Sequence, residues 1–170
     1  MISNDFGYEV NLVQNKALGA YLMYRTVKSY EKSEPSNSGC NLLYLFLVLP
    51  ILYQKDIRDI LKSTQIKSGI RMFADKFSST THKSSDIILR VHDLASLYKK
   101  LSWEAFTLAT KSHLLAIIPE EATVISRDTT IPAKYECPSI KPLLHGADRL
   151  GAWFAQNSLY EVALNLKVRF

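Results

Sequence analysis

The sequence lacks the short motifs by which common classes of enzyme are recognised. It contains no GxxxxGKS/T phosphate-binding loop, no GxGxxG dinucleotide motif, no HExxH zinc motif and no GxSxG nucleophile elbow. Its acidic residues form no cluster with nuclease-like spacing. No two histidines lie four residues apart, as two zinc ligands on one helix face would; the four are His82, His92, His113 and His145. The sequence therefore predicts a protein that is not an enzyme and that has no metal site and no cofactor.

Cysteines and long hydrophobic runs are also scarce. The two cysteines, Cys40 and Cys137, are not in a CxxC or other metal-ligand spacing, which is typical of a reduced cytoplasmic protein. The most apolar run, Asn41–Tyr53, contains Pro50 and is shorter than the roughly 20 residues that a membrane span needs. The first residues do not have the basic and then apolar pattern of a signal peptide. We expect a cytoplasmic protein that does not cross a membrane.

Positive charge is modest and unevenly distributed. The net charge is +5, and most of the excess lies between residues 36 and 110. Such a segment can contact phosphates, although an ordinary solvated face has the same composition. The candidates for a non-specific nucleic-acid contact are Lys67, Arg71, Lys76, Lys83, Lys99 and Lys100.

Several segments have the periodicity of amphipathic helices. Asn15 can cap a helix that extends from residue 15 to residue 31. Apolar residues between Ile87 and Leu101 recur at helical spacing, and Ser102 is expected to break that helix and to cap the next one, Trp103–Leu114. Shorter helices are predicted at Asp56–Ser63 and Lys67–Phe77, and a helical pair at 138–170 that contains the S-x-x-E capping box of Ser158 and Glu161.

The stretch LLAIIPEEATVISRD has the pattern of a β-hairpin. Two helices followed at once by a hairpin is the chain order of a winged helix-turn-helix. The apolar run Leu43–Leu49, a strand or a short helix by its composition, is the natural third strand. We therefore predict one domain, mainly α with a small β wing. It would comprise a helix at 15–31, a winged-helix-like core at 43–127 and the helical pair at 138–170.

The wing and its helix are poorly suited to reading DNA sequence. A winged helix places its second helix in the major groove and its hairpin against the phosphates. The second helix offers only Lys111 and His113 against Glu104, and Glu120 and Glu121 at the hairpin tip would repel phosphate. Sequence-specific DNA binding is therefore disfavoured.

The helix that contains Trp153 has a second stripe beside its apolar one. On a helical wheel Trp153 lies about 110° from the centre of the core stripe, near Gly146, Arg149 and Leu150. Tryptophan, arginine and a glycine that permits close approach are typical of a partner interface. The alternative is that Trp153 packs in the core of the chain itself.

Three stretches together resemble a known family. They are NKALGAYLMYRTVKSY, LYLFLVLPILYQKDIRDIL and ADRLGAWFAQNSLYEVALNLKVRF. In order and length they are similar to the middle component of bacterial ABC-three-component systems, a group that includes the small third subunit of Lamassu-type defence systems. Two residues depart from the expected pattern, Lys16 in place of a proline and Ala152 in place of a lysine.

This resemblance implies a non-enzymatic subunit of a complex. Its partners would be an SMC/Rad50-like ABC ATPase and an effector protein, often a nuclease, which act against phage or plasmid DNA. The leading hypothesis is thus an adaptor that bridges the two, with possible non-specific DNA contact inside the complex. The alternatives are a stand-alone winged-helix DNA-binding regulator and a small enzyme whose site is assembled from distant residues.

Overall fold

A computed structural model describes residues 15–36, 38–79, 84–129 and 137–169. The helices and strands that it contains are, in chain order, α1 Lys16–Ser33, β1 Cys40–Asn41, α2 Leu42–Tyr53, α3 Lys55–Ser63, α4 Gly69–Ser79, α5 Ser84–Lys111, β2 Leu115–Ile118, β3 Thr123–Ser126, α6 Lys141–Ala155 and α7 Leu159–Leu166. Short 3-10 turns at Ile66–Ser68 and Pro119–Glu121 precede α4 and join β2 to β3. The prediction of a mainly helical chain with a small β wing is confirmed.

Helix α1 forms the centre of the fold and packs most extensively against α6 and α5. Its N-terminus is capped as predicted, because the side chain of Asn15 accepts a hydrogen bond of 3.0 Å from the backbone of Leu18. The helices α1 and α6 approach closely at Gly151. A Cβ atom at that position would lie 2.2 Å from the carbonyl oxygen of Thr26, so only glycine fits this crossing.

Helix α2 corrects the prediction of a third strand at Leu43–Leu49. Asn41 caps the helix by accepting a hydrogen bond of 2.9 Å from the backbone of Leu43. Most of its residues are buried, and Pro50 lies inside it, where it cannot donate a hydrogen bond to the carbonyl four residues earlier. A helix that is apolar on every face has no periodic pattern by which it could be told from a buried strand.

Helix α5 is continuous, so the predicted break at Ser102 is wrong. Ser102 is buried within the helix, and the buried residues Tyr98 and Ala105 continue one apolar face across it. One serine costs a helix only a few tenths of a kcal/mol, which tertiary packing outweighs. The two predicted helices are therefore one. The winged-helix assignment loses the support of the helix-helix-hairpin order and stays a prediction.

The sheet has the strand order β1-β3-β2, and all its pairs are antiparallel. The predicted hairpin is confirmed, with Leu115 opposite Ser126 and Ile118 opposite Thr123. The carboxylate of Glu31 on α1 accepts hydrogen bonds from the backbone and hydroxyl of Ser126, at 2.6 and 2.5 Å. This contact fixes the end of the hairpin to the central helix.

Helix α7 begins with the predicted capping box. The Ser158 side chain accepts from the backbone of Glu161, and the Glu161 carboxylate accepts from the backbone of Ser158. Val162, Leu166 and Val168 are buried, so the apolar pattern of this segment contributes to the core of the chain. Within the four described ranges, no helix combines the length and the apolar character needed to cross a membrane.

Candidate partner-interaction surface

Trp103 forms an exposed aromatic cluster between α2 and α5. Its indole stacks on Phe46 with the ring centroids 5.6 Å apart and contacts Phe106 at 5.8 Å. Trp103 nevertheless remains 53% exposed. A large aromatic side chain that is held by neighbours and still faces solvent is the residue type that dominates binding energy at protein interfaces.

A groove adjoins this cluster. It has a volume of about 240 Å³ and lies between α2, α5 and the segment after α7. Leu43, Phe46, Leu47 and Ala95 give it an apolar lining, whereas its polar lining comes from α5 and from Arg169; the residues that line it are Leu43, Phe46, Leu47, His92, Ala95, Ser96, Lys99, Val168 and Arg169. An apolar floor with polar residues around it is the usual composition of an interface.

A second groove continues the first one along α7. It has a volume of about 570 Å³ and shares His92, Val168 and Arg169 with the first groove. Tyr160 and Leu164 line it and are 75% and 64% exposed. We call the two grooves and the Trp103 cluster together the aromatic face.

The segment after α7 lines both grooves, and hydrogen bonds fix its position. Lys167 ends α7 in the left-handed conformation, with a φ of 51°. The backbone of Val168 then donates to the carbonyl of Ala163 at 3.0 Å, and the backbone N of Arg169 lies 3.4 Å from Nδ1 of His92 on α5. The aromatic face is therefore built on helix ends and helix faces whose positions are fixed by the core.

Sequence reasoning did not identify Trp103 as a surface residue. The predicted break at Ser102 placed it at the start of a separate helix, whose faces could not be related to those of the helix before it. On one continuous helix Trp103 lies about 120° from the centre of the buried face, outside its edge. The spacing of the buried residues across Ser102 is the signal that could have located it.

The predicted partner-interface residues lie mostly inside the chain. Of the two alternatives for Trp153, the structure places it in the core. The side chain has no exposed surface, its Nε1 donates to the carbonyl of Ile66 at 2.9 Å, and its ring contacts Phe73 at 5.4 Å between centroids. Sequence spacing located it beside the core stripe correctly, but could not show that α4 covers it.

Gly146 and Leu150 are buried in the same region. A Cβ atom at Gly146 would lie 2.6 Å from a side-chain methyl of Leu52, so a larger residue here would force Leu52 to shift. Arg149 is half-buried, and its Nη1 donates to the carbonyls of Leu61 and Lys62 at the end of α3. A partner contact at Arg149 stays a prediction.

The predicted nucleic-acid residues fall into two groups. Lys67, Arg71 and Lys76 lie at the 3-10 turn and on α4, where the Nζ of Lys76 donates to the carbonyl of Ser63 at 2.6 Å. Lys99 and Lys100 lie exposed on α5, where Lys99 borders the groove beside Trp103. Lys83 lies outside the described residues. A continuous basic track that joins the two groups stays a prediction.

The remaining reactive groups are dispersed. In the described part of the chain, no three His, Cys, Asp or Glu residues lie close enough together to hold a metal ion. Cys40 is buried, and that burial raises the pKa of its thiol. Cys137 is exposed, and a hydrogen bond with Ser139 lowers the pKa of its thiol. Glu120 and Glu121 are exposed at the hairpin tip, as the sequence placed them.

Comparison with known families gives a clear assignment. The model of the family described as "ABC-three component (ABC-3C) system Middle Component 3" matches residues 3–170. Comparisons with curated proteins and with solved structures gave no match. The family match confirms the resemblance seen in the sequence and covers almost all of the chain. The chain therefore belongs to the Middle Component 3 family of ABC-three component systems.

Proposed function

We propose that this chain is a non-catalytic adaptor that bridges an SMC/Rad50-like ABC ATPase and an effector, a nuclease, in a cytoplasmic complex of the Lamassu type. The complex would defend a bacterium against phage or plasmid DNA. Membership of a middle-component family supports an accessory role among other components. ATP hydrolysis and DNA cleavage would then belong to the partners.

The observation that carries the adaptor proposal is the exposed Trp103 cluster beside two apolar grooves. A middle component must present at least one surface that remains unfilled in the free chain. Burial of a tryptophan that is already ordered by its neighbours costs little conformational entropy, so such a residue binds efficiently. The aromatic face meets both requirements.

Co-purification tests the proposal. The chain is co-expressed with the other components encoded at its locus, as wild type and as Trp103→Ala. Loss of a central aromatic anchor costs about 2 kcal/mol or more of binding free energy, so we expect the variant to weaken the complex at least about tenfold. Size-exclusion chromatography and titration of the purified components measure this change.

Leu97→Ala is the matched control. Leu97 lies on the same helix and is 75% exposed, but it does not line either groove. We expect this variant to assemble like the wild type. Equal assembly of Trp103→Ala and wild type would reject the aromatic face as the partner surface. Elution of the wild-type chain as a free monomer, with its components present, would reject the adaptor role.

A further inference from the structure

Another groove, separate from the two grooves of the aromatic face, lies between α3 and α6. It has a volume of about 380 Å³ and shares no lining residue with the aromatic face. Five of its lining side chains are basic or imidazole groups, namely Arg58, Lys62, Lys141, His145 and Arg149. The remaining lining residues are Leu61, Pro138, Pro142 and Gly146, so no carboxylate among the described residues lines this cavity.

On α3 and α6, the described carboxylates nearest in sequence to the lining either form ion pairs elsewhere or do not line the groove. On α6, Asp148 binds Arg25 of α1, with Nε and Oδ1 2.9 Å apart. On α3, Asp56 binds Arg90 of α5 at 2.8 Å, and Asp59 is exposed and does not line the groove. Among the described residues, no carboxylate of the lining therefore offsets the positive charge of the groove.

Both arginines of the groove are held in place by backbone carbonyls. Arg149 donates through Nη1 to Leu61 and Lys62, and Arg58 donates through Nη1 to Leu52 at 2.9 Å. The Nε of Arg149 is buried and has no hydrogen-bond partner among the described residues. A guanidinium has five donors, so both arginines are positioned while retaining donors for an acceptor group.

The start of α6 adds to the attraction for anions. Helix α6 begins at Lys141, and Ile140 supplies no side-chain cap to its first turn. Uncapped N–H groups and the helix dipole favour a negative charge at this end of the helix. Lys141 and Pro142 of that first turn line the groove.

We infer that the groove between α3 and α6 docks an acidic segment of a partner protein, in which carboxylates alternate with apolar side chains. The carboxylates would meet Arg58, Lys62 and Lys141, and the apolar side chains would lie on Leu61 and Pro142. The apolar lining distinguishes this groove from a plain phosphate track, which needs cations along its whole length. The inference rests on the proposed adaptor function, because it specifies the chemistry of one partner.

Binding of defined probes to the intact chain tests the inference. The first probe is a fluorescent peptide of alternating glutamate and leucine, and the second is a single-stranded DNA oligonucleotide of equal charge. Fluorescence anisotropy measures both at about 100 mM salt, where screening limits long-range electrostatic attraction. We expect the wild type to bind the peptide more tightly than the DNA.

The decisive variant is the double reversal Lys62→Glu with Lys141→Glu. Both lysines are exposed, so the fold should tolerate the change. We expect peptide binding to weaken at least about tenfold, because two attractive contacts become repulsive. The neutral double variant Lys62→Gln with Lys141→Gln should weaken peptide binding in the same direction but by a smaller factor. It keeps the test valid if the charge-reversal variant misfolds.

Lys67→Glu with Lys111→Glu is the matched control. It makes the same change in net charge at exposed positions that do not line the groove, and we expect it to leave peptide binding within about twofold of wild type. Equal weakening by the control and the groove variant would reject a specific site. Tighter binding of DNA that is lost only in the groove variant would reassign the groove to nucleic acid and overturn the inference.

These outcomes are separable from the adaptor test. Charge reversal leaves Trp103 intact, so assembly through the aromatic face can persist while peptide binding is lost. Loss of peptide binding only in the groove variants supports the docking site, whether or not Trp103→Ala disrupts the complex.

Discussion

The two tryptophans of this chain occupy opposite environments although both lie on long amphipathic helices. Trp153 on α6 has no exposed surface, whereas Trp103 on α5 is 53% exposed. Each lies away from the centre of the apolar stripe of its own helix. The helix α4 and the turn before it cover Trp153, whereas Trp103 has ring contacts with Phe46 and Phe106 and remains half exposed. Burial at the edge of a stripe is thus decided by the neighbouring element and not by the helix itself.

Truncation of Trp153 should produce the largest effect. Trp153→Ala removes the contact with Phe73 and leaves the carbonyl of Ile66 without its donor, so we expect a loss of about 3–5 kcal/mol in the free energy of unfolding. Urea unfolding followed by circular dichroism measures this loss. Trp153→Phe should be milder because it retains most of the volume. A loss of less than about 1 kcal/mol in the free energy of unfolding for Trp153→Ala would contradict the difference between a buried Trp153 and an exposed Trp103.

Alkaline pH should weaken the buried aromatic region more moderately. Tyr44 is buried, stacks on Phe154 at 4.6 Å and donates to the carbonyl of Asn157 at 2.9 Å. This burial raises the pKa of Tyr44 above its ordinary value near 10. As the pH rises, the unfolded chain therefore loses the phenolic proton before the folded chain does. The contribution of neutral Tyr44 to the free energy of unfolding is fully present below pH 10 and is lost progressively above it.

The size of this effect is about 1 kcal/mol at pH 11 for each such tyrosine. Tyr53, whose pKa burial also raises, should contribute in the same way. Unfolding experiments at pH 8 and pH 11 on wild type and Tyr44→Phe measure it. We expect the variant to be slightly less stable at pH 8, because the Asn157 carbonyl loses its donor, and to lose less on going to pH 11. An equal pH dependence of both proteins would contradict this assignment.

Truncation of Trp103 should have the smallest effect on stability. Trp103→Ala removes two ring contacts on a surface that is already hydrated, so we expect a loss of about 1 kcal/mol or less. Acrylamide quenching sharpens the comparison: the fluorescence of Trp103 in Trp153→Phe should be quenched strongly, and that of Trp153 in Trp103→Phe weakly. Similar quenching of both would contradict the assigned environments.

Local signals in the sequence predicted much of the fold. The cap at Asn15, the capping box at Ser158 and the hairpin depend on residues close together in the chain, and all three are present. For α2 the sequence left a strand and a short helix open, and the choice of a third strand was wrong, because an element that is apolar on every face has no periodicity. The continuity of α5 was not predicted either, because the packing around Ser102 comes from distant elements.

The candidate sites were harder to predict for the same reason. The aromatic face combines α2, α5 and α7, and the basic groove combines α3 and α6. Lys99 was noted for its charge, but its position beside Phe46 depends on how two helices pack. Arg149 was assigned to an interface from its neighbours on one helix, whereas its contacts with Leu61 and Lys62 belong to another.

The crossing of α1 and α6 at Gly151 has a consequence for the synthesis of the chain. The central helix ends at Ser33, yet its most extensive partner begins only at Lys141. More than a hundred residues must leave the ribosome before this pair can close, which makes the contact order of the core high. Until α6 emerges, the apolar faces of α1 and α2 have no cover on that side and remain open to chaperones or to aggregation. We therefore expect the core to be completed late in synthesis, when α6 packs on α1 at Gly151.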